Sequence, residues 1–348
     1  MSGTSLDGLD MAFCEFTFHE GNWKFDILES KSVTYPSDFQ KVLQNAIQLP
    51  AAELLTLNNS YGTWLGEHCK LFIDDHKLKV DLIASHGHTV HHQPKKGFTY
   101  QIGSGQHLAN AARHKVVCDF RIGDVCLGGQ GAPLVPIGDQ LLFSDYDFCL
   151  NLGGISNISY DSDGQRIAYD VGMANMPLNY IAQKAGKTYD KHGKMARGGT
   201  LIPALLKKLN ALRYYATKPP KSTGYEWFTT KVIPLLEATD ATPKDLLHTL
   251  VQHNAHQIAK AVRKVTQMPA SLLVSGGGAK NGFFMEVLRK KLDESIEIVI
   301  PSDQLIDYKE ALVFAFMGVL RMREETNCLS SVTGASTDSS GGVIFLPQ

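Results

Sequence analysis

Three turns combine glycine with hydroxyl or amide side chains: Ser2-Gly-Thr-Ser-Leu-Asp-Gly8, Leu152-Gly-Gly-Ile-Ser-Asn157 and Ser275-Gly-Gly-Gly-Ala279. Glycine lets a backbone approach an anion closely, and successive N–H groups in such a turn make a concave phosphate site. One such turn is a weak signal, because it also serves as a plain connection between strands. Three, each beside an apolar run, point to a phosphate-bearing ligand. No Gly-x-x-x-x-Gly-Lys-Ser/Thr occurs, which excludes a P-loop nucleoside triphosphatase. No Gly-x-Gly-x-x-Gly stands at a strand-to-helix turn, which argues against a dinucleotide oxidoreductase.

Asp170 ends the strand-like run Arg166-Ile-Ala-Tyr-Asp170. A strand end opening into a cleft holds a carboxylate rigidly enough for general-base work, while the same position suits a cap on a helix entering near Met176. His86, His88, His91 and His92 have the density of a metal site, but strand alternation puts His86 and His88 on one face and His91 on the other. No cysteine or carboxylate is adjacent, so hydrogen bonding is the better use of His86.

The elements that must hold these residues alternate between strand and helix. Residues 9–18 are β-rich. A helical pattern runs from Phe39 to Leu78, broken by Pro50, and a short one from His107 to His114. Buried-type strands read at 81–85, 100–103, 116–120, 148–152, 155–160 and 167–170, with Asp161-Ser-Asp-Gly164 as a hairpin turn between the last two. Helices follow at 176–185, 200–212, 225–239 and 243–267, the last striped with Leu247, Leu250, Val251, Ile258, Val262 and Val265. Strands at 271–275 and 296–300, a helix from Asn281, and one over 309–322 complete an α/β chain with mixed sheets.

The chain has 348 residues, enough for two lobes with cores of their own. Lys plus Arg number 34 against 35 Asp plus Glu, so bulk electrostatics offers no hold on nucleic acid or an anionic membrane. No apolar run nears the roughly 20 residues that span a bilayer, and no signal-peptide pattern opens the sequence. Six scattered cysteines without a Cys-x-x-Cys pair read as reduced thiols of a soluble, cytoplasmic protein.

The first two glycine turns form a weak internal repeat, two hairpin bends placed to clasp a triphosphate, which is the plan of the actin/hexokinase superfamily. Within it the chain resembles the anhydro-N-acetylmuramic acid kinases. Met1-Ser-Gly-Thr-Ser-Leu-Asp-Gly-Leu-Asp10 is similar to that family's first phosphate loop. Ser85-His-Gly-His-Thr-Val, Tyr100-Gln-Ile-Gly and Asp119-Phe-Arg-Ile-Gly-Asp124 resemble segments of its sugar cleft. Further likenesses stand at Gly128-Gly-Gln-Gly-Ala-Pro, Asn151-Leu-Gly-Gly-Ile-Ser-Asn157, Asp170-Val-Gly-Met-Ala-Asn175, Lys221-Ser-Thr-Gly, Ser275-Gly-Gly-Gly-Ala-Lys-Asn281, Glu310-Ala-Leu-Val and Ser331-Val-Thr-Gly-Ala335. Their common order covers nearly the whole chain.

The resemblance implies a two-lobed actin/hexokinase-like α/β fold, with residues 1–135 as one lobe, 136–348 as the other, and the nucleotide between them. The C-terminal helix is expected to pack back on the first lobe. In such kinases ATP, Mg²⁺ and water open a 1,6-anhydro sugar bridge and phosphorylate O6. It implies phosphate contacts from Gly3, Thr4, Ser5, Leu6, Asp7, Gly8, Leu9 and Asp10, from Gly153, Gly154 and Asn157, and from Gly276, Gly277 and Gly278. Asp170 is implied as the base, and His86, Asp119, Arg121, Asn175 and Glu310 as sugar contacts. Asp7 either holds Mg²⁺ through water or braces its turn. Asp119 and Arg121 either meet the sugar's lactyl carboxylate or form a strand-end salt bridge, and Glu310 is otherwise a helix-dipole partner. The partner is a small sugar, with a homodimer left open. The chain departs from the pattern at Val171, Met173, Ala174 and Tyr225, which bears on substrate preference. It also begins at the loop where relatives have a strand leading in, so the first strand is expected to be missing or truncated.

Overall fold

Strand β1 (Gly8–His19) folds back on β2 (Asn22–Thr34) through Glu20 and Gly21, whose φ of 52° and 83° suit the right-handed twist of a tight hairpin. The structure is a computed structural model that describes residues 1–2, 8–265 and 269–348. Contacts divide the chain into two units, Met1–Leu142 with Tyr308–Gln348, and Phe143–Asp307.

In the first unit, helix α1 (Ala51–His76) starts behind Pro50 and stops at Lys77, which takes φ 53°. Its Leu54, Leu57, Tyr61, Leu65 and Phe72 recur every three to four residues and enter one core with Leu9 and Met11 of β1. Gly62 and Gly66 let α2 (Gly105–Ala112) lie close: a Cβ at those positions would sit 2.5 Å from Ser104 O and 2.6 Å from Leu108 O. Strand β3 (Ile83–Ala84) is followed by the hairpin β4 (His88–Gln93) and β5 (Phe98–Ile102), and by β6 (Val116–Cys118), parallel to β3.

The second unit is built on one five-stranded sheet. Strands β7 (Phe148–Leu152), β8 (Ile155–Ser162) and β9 (Gln165–Met173) form an antiparallel meander. The turn between the last two uses Asp163 and Gly164, with φ of 52° and 76°, as its sequence predicts. Helix α3 (Asn175–Lys184) follows, then helical segments and α4 (Pro243–Arg263). Helix α4 is capped by Thr242 Oγ1, which accepts from Asp245 N. The stripe of Leu247, Leu250, Val251, Ile258 and Val262 is buried, each side chain supplying about 1.5–3 kcal/mol. Val265 leaves the stripe: the helix ends at Arg263 and Val265 is exposed. Strand β10 (Ala270–Ser275) then adds parallel to β7, and after α5 (Gly282–Lys291), β11 (Ile296–Val299) adds parallel to β10.

Helix α6 (Asp303–Met322) begins six residues before the expected start, and from Tyr308 on the chain belongs to the first unit. Strand β12 (Val343–Phe345) pairs antiparallel with β6, giving the order β12-β6-β3. A division at 135/136 assigns residues 308–348 to the second lobe; this pairing places them in the first unit. The mixed-sheet α/β class is the one expected. Among the described residues no helix is long and apolar enough to cross a membrane.

Candidate active site

In the second unit Asp170 lies on β9 directly opposite Asn157 on β8, at a bulge where the register slips between Ser156 and Asn157. The Asn157 side-chain amide donates to Asp170 Oδ1, and the backbone N–H of Thr223 donates to Oδ2 at 2.8 Å. Lys221 O accepts the backbone N–H of Asp170 at 3.2 Å, and Tyr214 Oη–H donates to its carbonyl at 2.6 Å. The carboxylate is thus held from two segments, and the backbone behind it from residues 214 and 221. It does not cap α3, whose N-cap is Ala174 without a side-chain bond. Burial raises the Asp170 pKa above the ordinary carboxylate value, partly offset by the Thr223 amide, Asn157 and the charge of Lys221. The result is a stronger base than an exposed aspartate.

The glycine turns of this unit, after β7 and β10, connect to Asp170 through Asn151 and Asn157. Asn151 Nδ2 donates to Asn157 Oδ1 at 3.4 Å, extending the row that leads to Asp170. Gly276 has φ +77°, and a Cβ there would collide with Asn151 Oδ1. A Cβ on Gly278 would press to 2.7 Å on Leu152 Cβ and 3.2 Å on Asn175 Nδ2, whereas Gly277 has open space around it. Gly153 and Gly154 form the β7–β8 bend, and their carbonyls accept from the N–H groups of Asn175 and Met176 at the start of α3. Asn175 Nδ2 is spent on Leu152 O at 2.9 Å, so this side chain ties the turn to the helix. Asp170, Asn157, Asn151, Asn175 and the 153–154 and 276–278 turns are linked by short contacts. Reading the sequence overlooked Asn151, Tyr214, Lys221 and Thr223; three of these lie inside quoted motifs, which is the signal that was present.

In the first unit His86 and Arg121 are joined. Arg121 Nε and Nη2 lie 2.9 and 2.8 Å from His86 Nε2, and Nη1 donates to Gly131 O at 2.7 Å. A guanidinium only donates, so Nε2 accepts and Nδ1 carries the hydrogen, which goes to Gly87 O at 2.9 Å. Burial, then the neighbouring Arg121 charge, pushes the His86 pKa down to about 3. Both ring nitrogens are engaged within the protein, which corrects the expectation of His86 as a donor to sugar: it orients Arg121. Asp119 takes φ +58° at the end of β6, and burial raises its pKa. Among the described residues no ion pair joins Asp119 to Arg121; Glu310 on α6 is the carboxylate whose charge acts on Arg121.

The described part of the first phosphate loop is strand. Gly8 pairs with Thr34, and a Cβ there would meet Val33 O. Leu9 points into the core and its backbone pairs with Val33 and bridges to Ser2, and Asp10 Oδ1 accepts from Ser32 Oγ at 2.5 Å. Gly3, Thr4, Ser5, Leu6 and Asp7 lie outside the described residues. Val171, Met173 and Ala174 are buried in the second unit's core, whereas Tyr225 is exposed. The first three departures therefore change packing behind Asp170.

Among the described residues no group of three His, Cys, Asp or Glu is placed to hold a metal. Mg²⁺ carried on phosphates needs only one or two carboxylates. The open space at Gly277, beside positions where a Cβ would collide, fits the close approach of a nucleotide.

A buried carboxylate at a strand bulge, beside glycine turns on a mixed sheet, is an arrangement suited to phosphoryl transfer. Residues 1–347 match the family model described as anhydro-N-acetylmuramic acid kinase. The kinase of that name from Mannheimia succiniciproducens is 35% identical over 368 residues, covering 99% of this chain and 97% of its own. That from Vibrio cholerae is 35% identical over 369 residues, covering 100% and 97%. A ROK hexokinase from Thermus thermophilus matches at a TM-score of 0.37 and 12% identity, over 89% of this chain and 100% of that one, a likeness too faint to bear on activity. The chain belongs to the anhydro-N-acetylmuramic acid kinase family, and is a kinase that uses ATP on a sugar.

Proposed function

We propose that the chain converts 1,6-anhydro-N-acetylmuramic acid, ATP and water into N-acetylmuramic acid 6-phosphate and ADP, in the cytoplasmic recycling of peptidoglycan. The single observation carrying this reading is the grip on Asp170: two donors hold a carboxylate whose pKa is raised by burial at a bulge within β9. Asp170 takes a proton from water as its oxygen bonds to the anomeric carbon. The bond from that carbon to O6 breaks, and O6 takes the γ-phosphoryl group. Asn157 and Thr223 orient the base, and the 153–154 and 276–278 turns offer backbone to the nucleotide. Mg²⁺ on the nucleotide neutralises phosphate charge when bound. Arg121, aimed by His86 and Gly131 O, is suited to the lactyl carboxylate. Glu310 and Asp119 belong with it as sugar contacts.

The experiment is turnover in ¹⁸O-labelled water with analysis of the sugar phosphate. The reading requires the label at the anomeric carbon and the phosphate on O6. A phosphorylated sugar without label would overturn the hydrolytic step, and sugar binding without ADP release would identify a sensor.

A further inference from the structure

Two motifs far apart in the sequence, Gly128-Gly-Gln-Gly-Ala-Pro133 and Ser331-Val-Thr-Gly-Ala335, meet in the first unit at Asp124. Asp124 sits on the short helix Ile122–Cys126, just after Arg121, and is 1% exposed. Its Oδ2 accepts the backbone N–H of Gly131 at 2.6 Å. Its Oδ1 accepts the hydroxyl hydrogen of Thr333, 209 residues away, also at 2.6 Å. A buried carboxylate has to be met by donors, and bonds this short are charge-assisted. Backbone ties the same two segments: Gln130 N donates to Thr333 O at 2.9 Å, and Ser336 N to Leu127 O at 3.0 Å.

Gly131 carries this grip to Arg121. Its N–H is held by Asp124, and its carbonyl accepts from Arg121 Nη1 at 2.7 Å. His86 Nε2 takes the Nε and Nη2 donors of the other edge. Among the described residues, one hydrogen on Nη1 and one on Nη2 are left for an incoming carboxylate. Their direction is set by His86 on one side and Gly131 O on the other. His86 is anchored by Gly87 O, Gly131 by Asp124, and Asp124 by Thr333. The segment bearing Thr333 is itself fixed. Asn327 donates to Met317 O at 3.0 Å and to Gly341 O at 2.8 Å, and its Oδ1 accepts from Gly341 N at 2.6 Å.

We propose that Asp124 and Thr333 are positioning residues for Arg121, so that the segment 327–341 sets how tightly the site takes a sugar bearing a carboxylate. The proposal rests on the reading that Arg121 meets the lactyl carboxylate. Loss of the Thr333 hydroxyl leaves Asp124 Oδ1 without its donor, loosens Gly131, and lets Nη1 leave the line set by His86.

The test is steady-state kinetics of Thr333→Val and Thr333→Ser on two sugars, 1,6-anhydro-N-acetylmuramic acid and its lactyl carboxamide. Valine keeps the shape of threonine without the donor, and serine restores the donor. Thr333→Val is expected to raise KM for the acid by about five- to tenfold, with kcat and KM for ATP within about twofold. KM for the carboxamide should hold, and Thr333→Ser should stay near wild type on both sugars. Thr333→Ala carries the same comparison if the valine variant does not fold. Unchanged KM for the acid, equal losses on both sugars, or a loss that serine does not restore overturns the proposal. Arg121→Lys run alongside separates the causes. If it tells the sugars apart and Thr333→Val does not, this proposal alone falls; if neither does, the reading of Arg121 falls with it.

Discussion

Asn157 donates its side-chain amide to Asp170 across a bulge between β8 and β9, so two neighbouring strands of one meander carry both the carboxylate and its orienting group. The bulge inserts Val171 without turning it outward: Val171 stays in the core while Asp170 keeps its partner. The hold on the Asp170 carboxylate and the packing of the core are therefore tied together within three residues.

Removing Asn157 takes away a donor that holds the Asp170 pKa down. In Asn157→Ala that pKa rises further, so the acid limb of the kcat/KM profile moves to higher pH. Activity at low pH falls by more than at high pH, and the pH profile of wild type and variant checks this. Parallel profiles would mean that Asn157 does not act through Asp170.

Gly276→Ala forces a side chain onto φ +77° and into Asn151. The expected cost is about 1–3 kcal/mol of stability. The same change disturbs the row of amides behind Asp170, so KM for ATP should rise as well. Denaturant titration and kinetics test the two effects separately.

Arg121→Lys keeps a positive charge but loses the fork that meets His86 and Gly131 O together. If Arg121 receives the lactyl carboxylate, KM for the anhydro sugar rises by roughly tenfold or more while ATP affinity holds. A sugar lacking that carboxylate should be indifferent to the substitution; equal losses on both sugars would remove Arg121 from recognition.

His86 and His253 are both buried and held neutral, each with a pKa pushed down to about 3, chiefly by burial. An unfolded imidazole titrates near ~6.5. Between that value and about 3 the unfolded chain binds protons that the folded chain does not, so stability falls as pH drops through the window. The loss in urea midpoint between about pH 7.5 and about pH 5 should be smaller in His86→Gln than in wild type.

Local features were the legible ones. The Asp161-Ser-Asp-Gly164 turn, the α4 stripe and the glycine bends show in the sequence because a turn, a helix period or a backbone conformation demands particular residues nearby. Strand β2 does not show: it carries Lys24, Asp26, Glu29 and Lys31, and forms because β1 offers it a partner. The return of residues 343–345 to β6 is likewise a long-range pairing with no local mark. The sequence singles out His86, but its engagement with Arg121, 35 residues away, is a long-range contact with no local mark.

The most direct measurement is ADP release with anhydro-N-acetylmuramic acid, Mg²⁺ and ATP, comparing wild type with Asp170→Asn. The amide matches the carboxylate in shape but is no base, and wild type is expected to release ADP only when the sugar is present. In the variant the rate should fall by about 10²–10⁴, with ATP and sugar still bound. Undiminished turnover in Asp170→Asn, or a folded wild type that binds both ligands without releasing ADP, would contradict this mechanism.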